Sequence, residues 1–379
     1  MASTGAPGDG DSKSPSVSAD GRFVAFASEG DNLSPDDSDA TTDVYVRDLV
    51  LDTTTLVSRA TGVQGSKGRD GSDDPSISAD GRLVAFDSDA RLTPGSDGGV
   101  YVRDVVMGQT SLVSRASGAH GAPGNGDLSL SPSISADGRF VAFDSDATNL
   151  SRADRSDDDD VFVRDLQAQT TTLVSRDSGR GGPSANDDAE LGAISADGEF
   201  VAFDTGASNL VHAGPRRKRN VFVAPSVNVY VRSLATHTTT LVSRVSGPNG
   251  APGDGDSASG SISADGRVVA FISVAANLSP DRREAADEVF VRDLDAQTTT
   301  LISASGDSKG DDDSESPSLS ADGRLVVFVS SATNLAPEAT GGVFVHELAP
   351  EQEGATSTPS ELPWFAGPKR SVRGSRGGG

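Results

Sequence analysis

Two acidic runs are the parts of this sequence that come nearest to a chemical constellation. Asp37, Asp39 and Asp43, with Thr41 between them, set oxygen atoms at every second position, and Asp154, Ser156, Asp158 and Asp160 repeat the series further along the chain. Oxygens at alternate loop positions suit a hard cation such as Ca²⁺, which gathers ~6–8 of them. Neither run supplies the bidentate glutamate or the central glycine of a helix–loop–helix calcium loop, so plain solvated acidic loops are the competing reading. Calcium is the one cofactor these residues suggest.

Other catalytic chemistry finds less support. His120, His212, His237 and His346 share no spacing and form no zinc-binding string. The chain has no cysteine, which removes thiolate ligands, thiol nucleophiles and disulfides together. Gly306 to Gly310 read GDSKG and match the nucleophile-elbow string, but that motif needs a strand-to-helix turn, whereas these residues stand in a polar loop. The recurring pairs Arg47 with Asp48, Arg103 with Asp104, Arg164 with Asp165 and Arg292 with Asp293 read as ion pairs or turn hydrogen bonds at strand ends, an exposed pair being worth ~0–1 kcal/mol. No catalytic residue is assigned.

What positions all of these is a repeat. Ser-Ala-Asp-Gly occurs six times, with its aspartate at Asp20, Asp80, Asp137, Asp197, Asp265 and Asp322, at intervals of 57 to 68 residues. Each unit runs through PSVSADG, RFVAFAS, DVYVRDL and TTTLVSR or close variants, and every apolar piece is short, β-branched and bounded by Gly, Asp or Ser. These are strands, and ADG has the residue types of a tight turn between two of them. In the second strand Phe23, Ala25 and Ala27 face one way and Val24 and Phe26 the other, so both faces are apolar and both must be covered. Four-stranded antiparallel units covered on both faces by their neighbours pack as a β-propeller.

The units SPSVSADGRFVAF, DVYVRDL and TTTLVSR resemble the WD-repeat-like blades of TolB-type six-bladed propellers over some 350 of the 379 residues. The expected fold is all-β: a six-bladed propeller over 1–350 with blades at about 1–60, 61–116, 117–177, 178–245, 246–304 and 305–350, and a disordered Gly/Arg-rich tail over 351–379. The last blade lacks a TTTLVSR strand of its own. An upstream strand preceded by a signal peptide is expected to complete it in a longer form, with ATSTPS at 355–360 as the rival strand. The resemblance implies a bacterial protein in a periplasmic or secreted setting, although the chain as it stands begins without a secretory signal. It also implies action through protein contacts. A non-catalytic scaffold with a protein partner on one propeller face is therefore the leading expectation, and a calcium-assisted lyase or hydrolase using the acidic face is the alternative.

Charge sharpens this. The net charge is −24, so a phosphate backbone is repelled and nucleic acid is excluded as a partner. No apolar run is long enough to span a membrane as a helix, and a monomer is expected. Strand alternation puts the loops between second and third strands, and those between blades, at one end, where most of the acid falls. The basic run Arg216, Arg217, Lys218 and Arg219 is read as a solvated loop. Only five of the 32 basic residues are lysine, Lys13, Lys67, Lys218, Lys309 and Lys369, a bias that also fits a high-GC or salt-adapted origin.

Overall fold

A computed structural model of the chain describes residues 6–348 apart from 38, 63, 127–128, 155, 211–225, 280–285, 307 and 337–339. His212, the basic run at 216–219 and the tail from 351, with its rival strand at 355–360, lie outside the described residues. Six antiparallel sheets follow one another at 12–56, 72–112, 129–173, 189–241, 257–301 and 314–347. Blades one to five have four strands each in sequential order; among the described residues the sixth has three, Ser314–Leu319, Leu325–Ser330 and Gly342–Glu347. Helix is confined to two single 3-10 turns among the described residues. This is the all-β six-bladed propeller, with three strands described in its last blade.

Local sequence explains each blade. Ser18 Oγ donates to Asp20 Oδ1 at 2.7 Å while that oxygen accepts the Arg22 N–H at 3.0 Å, closing the turn between first and second strands. Gly81 takes φ +74° in the equivalent turn of blade two, and a Cβ there would stand 2.1 Å from the Phe23 ring of blade one. Glycine thus serves both the turn and the approach of one blade to the next. Second and third strands pair without a bulge, placing Phe26 against Tyr45 with ring centroids 5.7 Å apart, and every blade repeats the stack.

Blade packs on blade through one recurring set. Ala25, Val44, Val46 and Val57 are buried against Ile77, Val84, Phe86, Tyr101 and Leu112 of blade two. The same positions form the next four interfaces. The third-strand arginines join them, which corrects their reading as strand-end pairs. Arg164 is 4 % exposed, and its guanidinium donates to the carbonyls of Ala116 at 2.9 Å and Gly118 at 3.2 Å in the loop entering its own blade, and to Thr171 Oγ1 at 3.0 Å. Arg103 does the same to Ala60 and Gly62. Burial pulls Arg103 down to about 10, which still leaves it charged at neutral pH. The neighbouring aspartates turn the other way: Asp48 accepts from Arg22 and from the N–H groups of Val50 and Leu51.

The interface between blades six and one is not made among the described residues. Val343 and Val345, which stand where Val44 and Val46 stand in blade one, are 71 % and 63 % exposed, whereas Val44 is fully buried. Leu325, Val327 and Val329 are exposed beside them, and Val17 faces outward from blade one. Nothing lies within 4 Å of a Cβ built on Gly21, although Gly81, Gly138, Gly198, Gly266 and Gly323 all abut the preceding blade.

Replacing Arg164 by Ala leaves those loop carbonyls without their charged donor, and urea unfolding should show a loss of about 3 kcal/mol. Replacing Arg22 by Ala, which breaks a half-exposed pair with Asp48, should cost under about 1 kcal/mol.

Candidate functional site

Asp43 opens the third strand of blade one opposite Ser28 and is wholly buried, so its carboxylate must be answered inside the fold. One oxygen accepts from Ser58 Oγ at 2.5 Å. Asp37, also buried, accepts the Tyr45 hydroxyl. The loop brings the carboxylates of Asp37, Asp39 and Asp43 within 4.8 Å of one another, as their spacing suggests. The cation among them belongs to the protein: Lys67 Nζ lies 2.7 Å from Asp39, 2.8 Å from Asp43, 3.3 Å from Asp37 and 3.0 Å from Thr41 Oγ1. Burial works against the ammonium, but its bonds to Asp39 and Asp43 hold it charged, above the ordinary lysine value. Its bond in turn draws Asp39 down to about 2. Sequence reasoning missed Lys67, which enters from the loop that leads to blade two and pairs with Arg59 across it.

The same two positions can be followed through the blades. The residue opening the third strand is Asp43, Gly99, Asp160, Asn228 and Glu288 in blades one to five. The residue at the place of Lys67 is Lys67, Pro123, Ser184, Pro252 and Lys309. Blades one and five pair an acid with a lysine, the Lys309–Glu288 separation being 3.6 Å. Blades two and four have neither charge. Blade three alone has the acid without the lysine.

There Asp154, Ser156, Asp158 and Asp160 take the places of Asp37, Asp39, Thr41 and Asp43. Asp160 is 1 % exposed and Asp154 8 %. Ser175 Oγ donates to Asp160 Oδ1, while Asp160 Oδ2 and Ser156 Oγ are buried with no hydrogen-bonding partner among the described residues. Asp154 accepts the Ser156 N–H at 3.1 Å. Burial, together with the facing Asp154, pushes the Asp160 carboxyl up to about 7, and burial raises Asp154 as well. A pocket of about 400 Å³ lined by Ala153, Arg176, Gly181, Gly182, Pro183 and Ser184 adjoins this pair along the chain.

The remaining candidates do not converge. Ser308 and Lys309 of the GDSKG string pair with Ala304 and Ser305 in a two-residue ladder, not in a strand-to-helix elbow, and Asp307 lies outside the described residues. His120 lines a pocket at blade two, His237 stands at the turn before the fourth strand of blade four, and His346 takes the place of the arginine in the third strand of blade six.

Charge divides between the two ends of the blades. At the end with the ADG turns, acids are matched: Asp48 to Arg22, Asp104 to Arg82, Asp165 to Arg139 and Asp293 to Arg267. At the other end some loop acids are matched too, Asp36 by Arg59, Asp97 by Arg91 and Asp37, Asp39 and Asp43 by Lys67, but Asp187, Asp188, Asp254, Asp256, Asp312 and Asp313 are exposed, with no ion pair among the described residues. Crowding shows in their neighbours: burial and then Asp313 and Glu315 raise Asp287, and burial and then Asp188 raise Asp159.

No family model matches the chain, and no curated protein is similar to it in sequence. Solved structures similar to it include TolB from Acinetobacter baumannii (16 % identity, TM-score 0.42, 79 % of this chain and 56 % of that one) and a putative TolB from Agrobacterium tumefaciens (16 %, 0.44, 77 % and 80 %). The β-propeller domain of the Trilobed protease from Pyrococcus furiosus, which has an open velcro topology, is another (12 %, 0.52, 90 % and 82 %). The chain spans little more than half of the Acinetobacter protein. Likeness at these identities shows the fold alone.

Replacing Lys67 by Met strands the buried Asp37 and Asp43 and should cost about 3 kcal/mol in urea unfolding. Lys13→Met, which breaks an exposed pair with Asp73, should cost under about 1 kcal/mol. Acidity should act in an unusual direction. Burial raises Asp87 and Asp144 to about 7 and Asp204 to about 6, so between pH 4 and 7 the native state binds protons that the unfolded chain has lost. Stability from these groups is full below the unfolded carboxylate value and falls as pH rises through 6 to 7. Thermal melts should therefore shift upward from pH 8 to pH 5.5, and Asp87→Asn with Asp144→Asn should flatten that slope. A melting temperature that falls over this range would contradict the assignment.

Proposed function

We propose that the protein is a propeller scaffold that docks a cationic segment of a protein partner on the end of its blades where the second-to-third-strand and inter-blade loops gather. The observation that supports this is the unequal neutralisation of the two ends. Arginine answers the recurring acids of one end, whereas at the other it reaches only Asp36 and Asp97 among the described residues and leaves Asp187, Asp188, Asp254, Asp256, Asp312 and Asp313 exposed and without an ion pair there. Unpaired like charges on one surface raise the local concentration of opposite charge and speed encounter with it. The carboxylates that do converge, Asp37 with Asp43 and Asp154 with Asp160, are buried within their blades, so they support a structural role more readily than general acid–base work on a substrate. An envelope partner is the one that the likeness of the repeats to TolB-type blades suggests.

A fluorescent arginine- and lysine-rich peptide tests the reading by anisotropy. Binding should be saturable and should weaken steeply as salt rises and the screening length shortens to ~8 Å or less. Asp312→Lys with Asp313→Lys should lose most of it, while Asp295→Lys at the other end should lose little. Equal losses at the two ends, or no binding at low salt, would count against the docking face and leave solubility as the use of the charge.

A further inference from the structure

We propose that blade three binds a calcium ion between Asp154 and Asp160, with Ser156 as a further oxygen ligand, in the place where blades one and five use the ammonium of their own lysine. This does not depend on the docking reading above.

The first support is the acid itself. Asp160 is 1 % exposed, and its Oδ2 has no donor among the described residues although it sits beside a second buried carboxylate; Ser156 Oγ, in the same loop, is buried and equally without a partner among them. Leaving a carboxylate oxygen buried without a positive or donating neighbour is costly, and two facing carboxylates compound that cost. The second support comes from the other blades, where the protein shows how the position is neutralised. Where the third strand opens with a buried acid, a lysine reaches it: Lys67 to Asp43 at 2.8 Å and Lys309 to Glu288 at 3.6 Å. Where proline stands at the lysine position, the strand opens with Gly99 or Asn228 and there is no charge to answer. Lysine is scarce in this chain, yet two of its five lysines occupy this one position. Blade three keeps the acid and replaces the lysine with Ser184, removing both the charge and the volume of the stem. Ser184 lines a pocket of about 400 Å³ together with Ala153, the residue before Asp154, and Arg176, which also lines it, is already committed to the Gly182 carbonyl.

The donor set selects the ion. Two carboxylates are neutralised by a divalent cation and over-compensate a monovalent one. All candidate ligands are oxygens held in a loop of irregular geometry, which suits Ca²⁺ with its tolerant coordination and not Mg²⁺, which demands a near-octahedral shell.

Isothermal titration of the full chain with Ca²⁺, paired with melting curves with and without chelator, tests this. The wild-type chain should give saturable heat and a melting temperature that falls on chelation. Asp160→Asn should weaken binding by about tenfold or more. Ser184→Lys is the sharper variant: it restores the arrangement of blade one, so it should abolish the calcium-dependent shift while keeping the melting temperature of the calcium-loaded wild type. Several outcomes would overturn the proposal: no heat from the wild-type chain, binding unchanged in Ser184→Lys, or Mg²⁺ binding as tightly as Ca²⁺. A wild-type chain that ignores Ca²⁺ while Asp160→Asn melts higher at pH 7 would show instead that the two carboxyls share a proton.

Discussion

Burial of each blade between two neighbours is the constraint from which the rest of this structure follows. A four-stranded sheet with apolar residues on both faces has no inside of its own, and the interior is made five times over by the same residues: Ala25, Val44, Val46 and Val57 against Val84, Phe86 and Tyr101, and their counterparts. Glycine in each turn lets the blades approach, and a third-strand arginine bonds the loop that leads into its blade. Where the sixth interface would be, the same positions are exposed, which shows that the valines are buried by the neighbour and not by their own sheet.

The constraint extends to charge. Any acid that enters an interface must be neutralised there, because water cannot reach it. Lys67 answers three aspartates at once, Lys309 answers Glu288, and the second-strand acids Asp87, Asp144 and Asp204 are held up towards protonation by burial. Repetition across blades therefore marks scaffold. A departure in one blade, such as Ser184 in the place of Lys67, is where a ligand has room to act.

Much of this was legible in the sequence. The Ser-Ala-Asp-Gly turns and the short β-branched strands carry the architecture, because turn chemistry and strand alternation are local. The acidic spacing also foretold that Asp37, Asp39 and Asp43 meet. Two features were hidden because their partners are distant. The arginines of the third strands looked like strand-end pairs with the adjacent aspartates, but Arg103, Arg164 and Arg232 bond carbonyls 41 to 56 residues earlier, and a backbone carbonyl leaves no mark in a sequence. Lys67 lies in a glycine-rich loop of ordinary composition; only alignment of that loop across all blades, with Lys309 against Pro123, Ser184 and Pro252, would have singled it out.

The central claim is that one buried position in the repeat is neutralised by lysine in blades one and five and by a bound ion in blade three. Anomalous diffraction from crystals soaked in terbium, a calcium surrogate, tests both halves in one map. The account predicts a peak between Asp154 and Asp160 and none among Asp37, Asp39 and Asp43, where Lys67 Nζ stands. A peak at blade one with Lys67 displaced, or no peak at blade three, would contradict it.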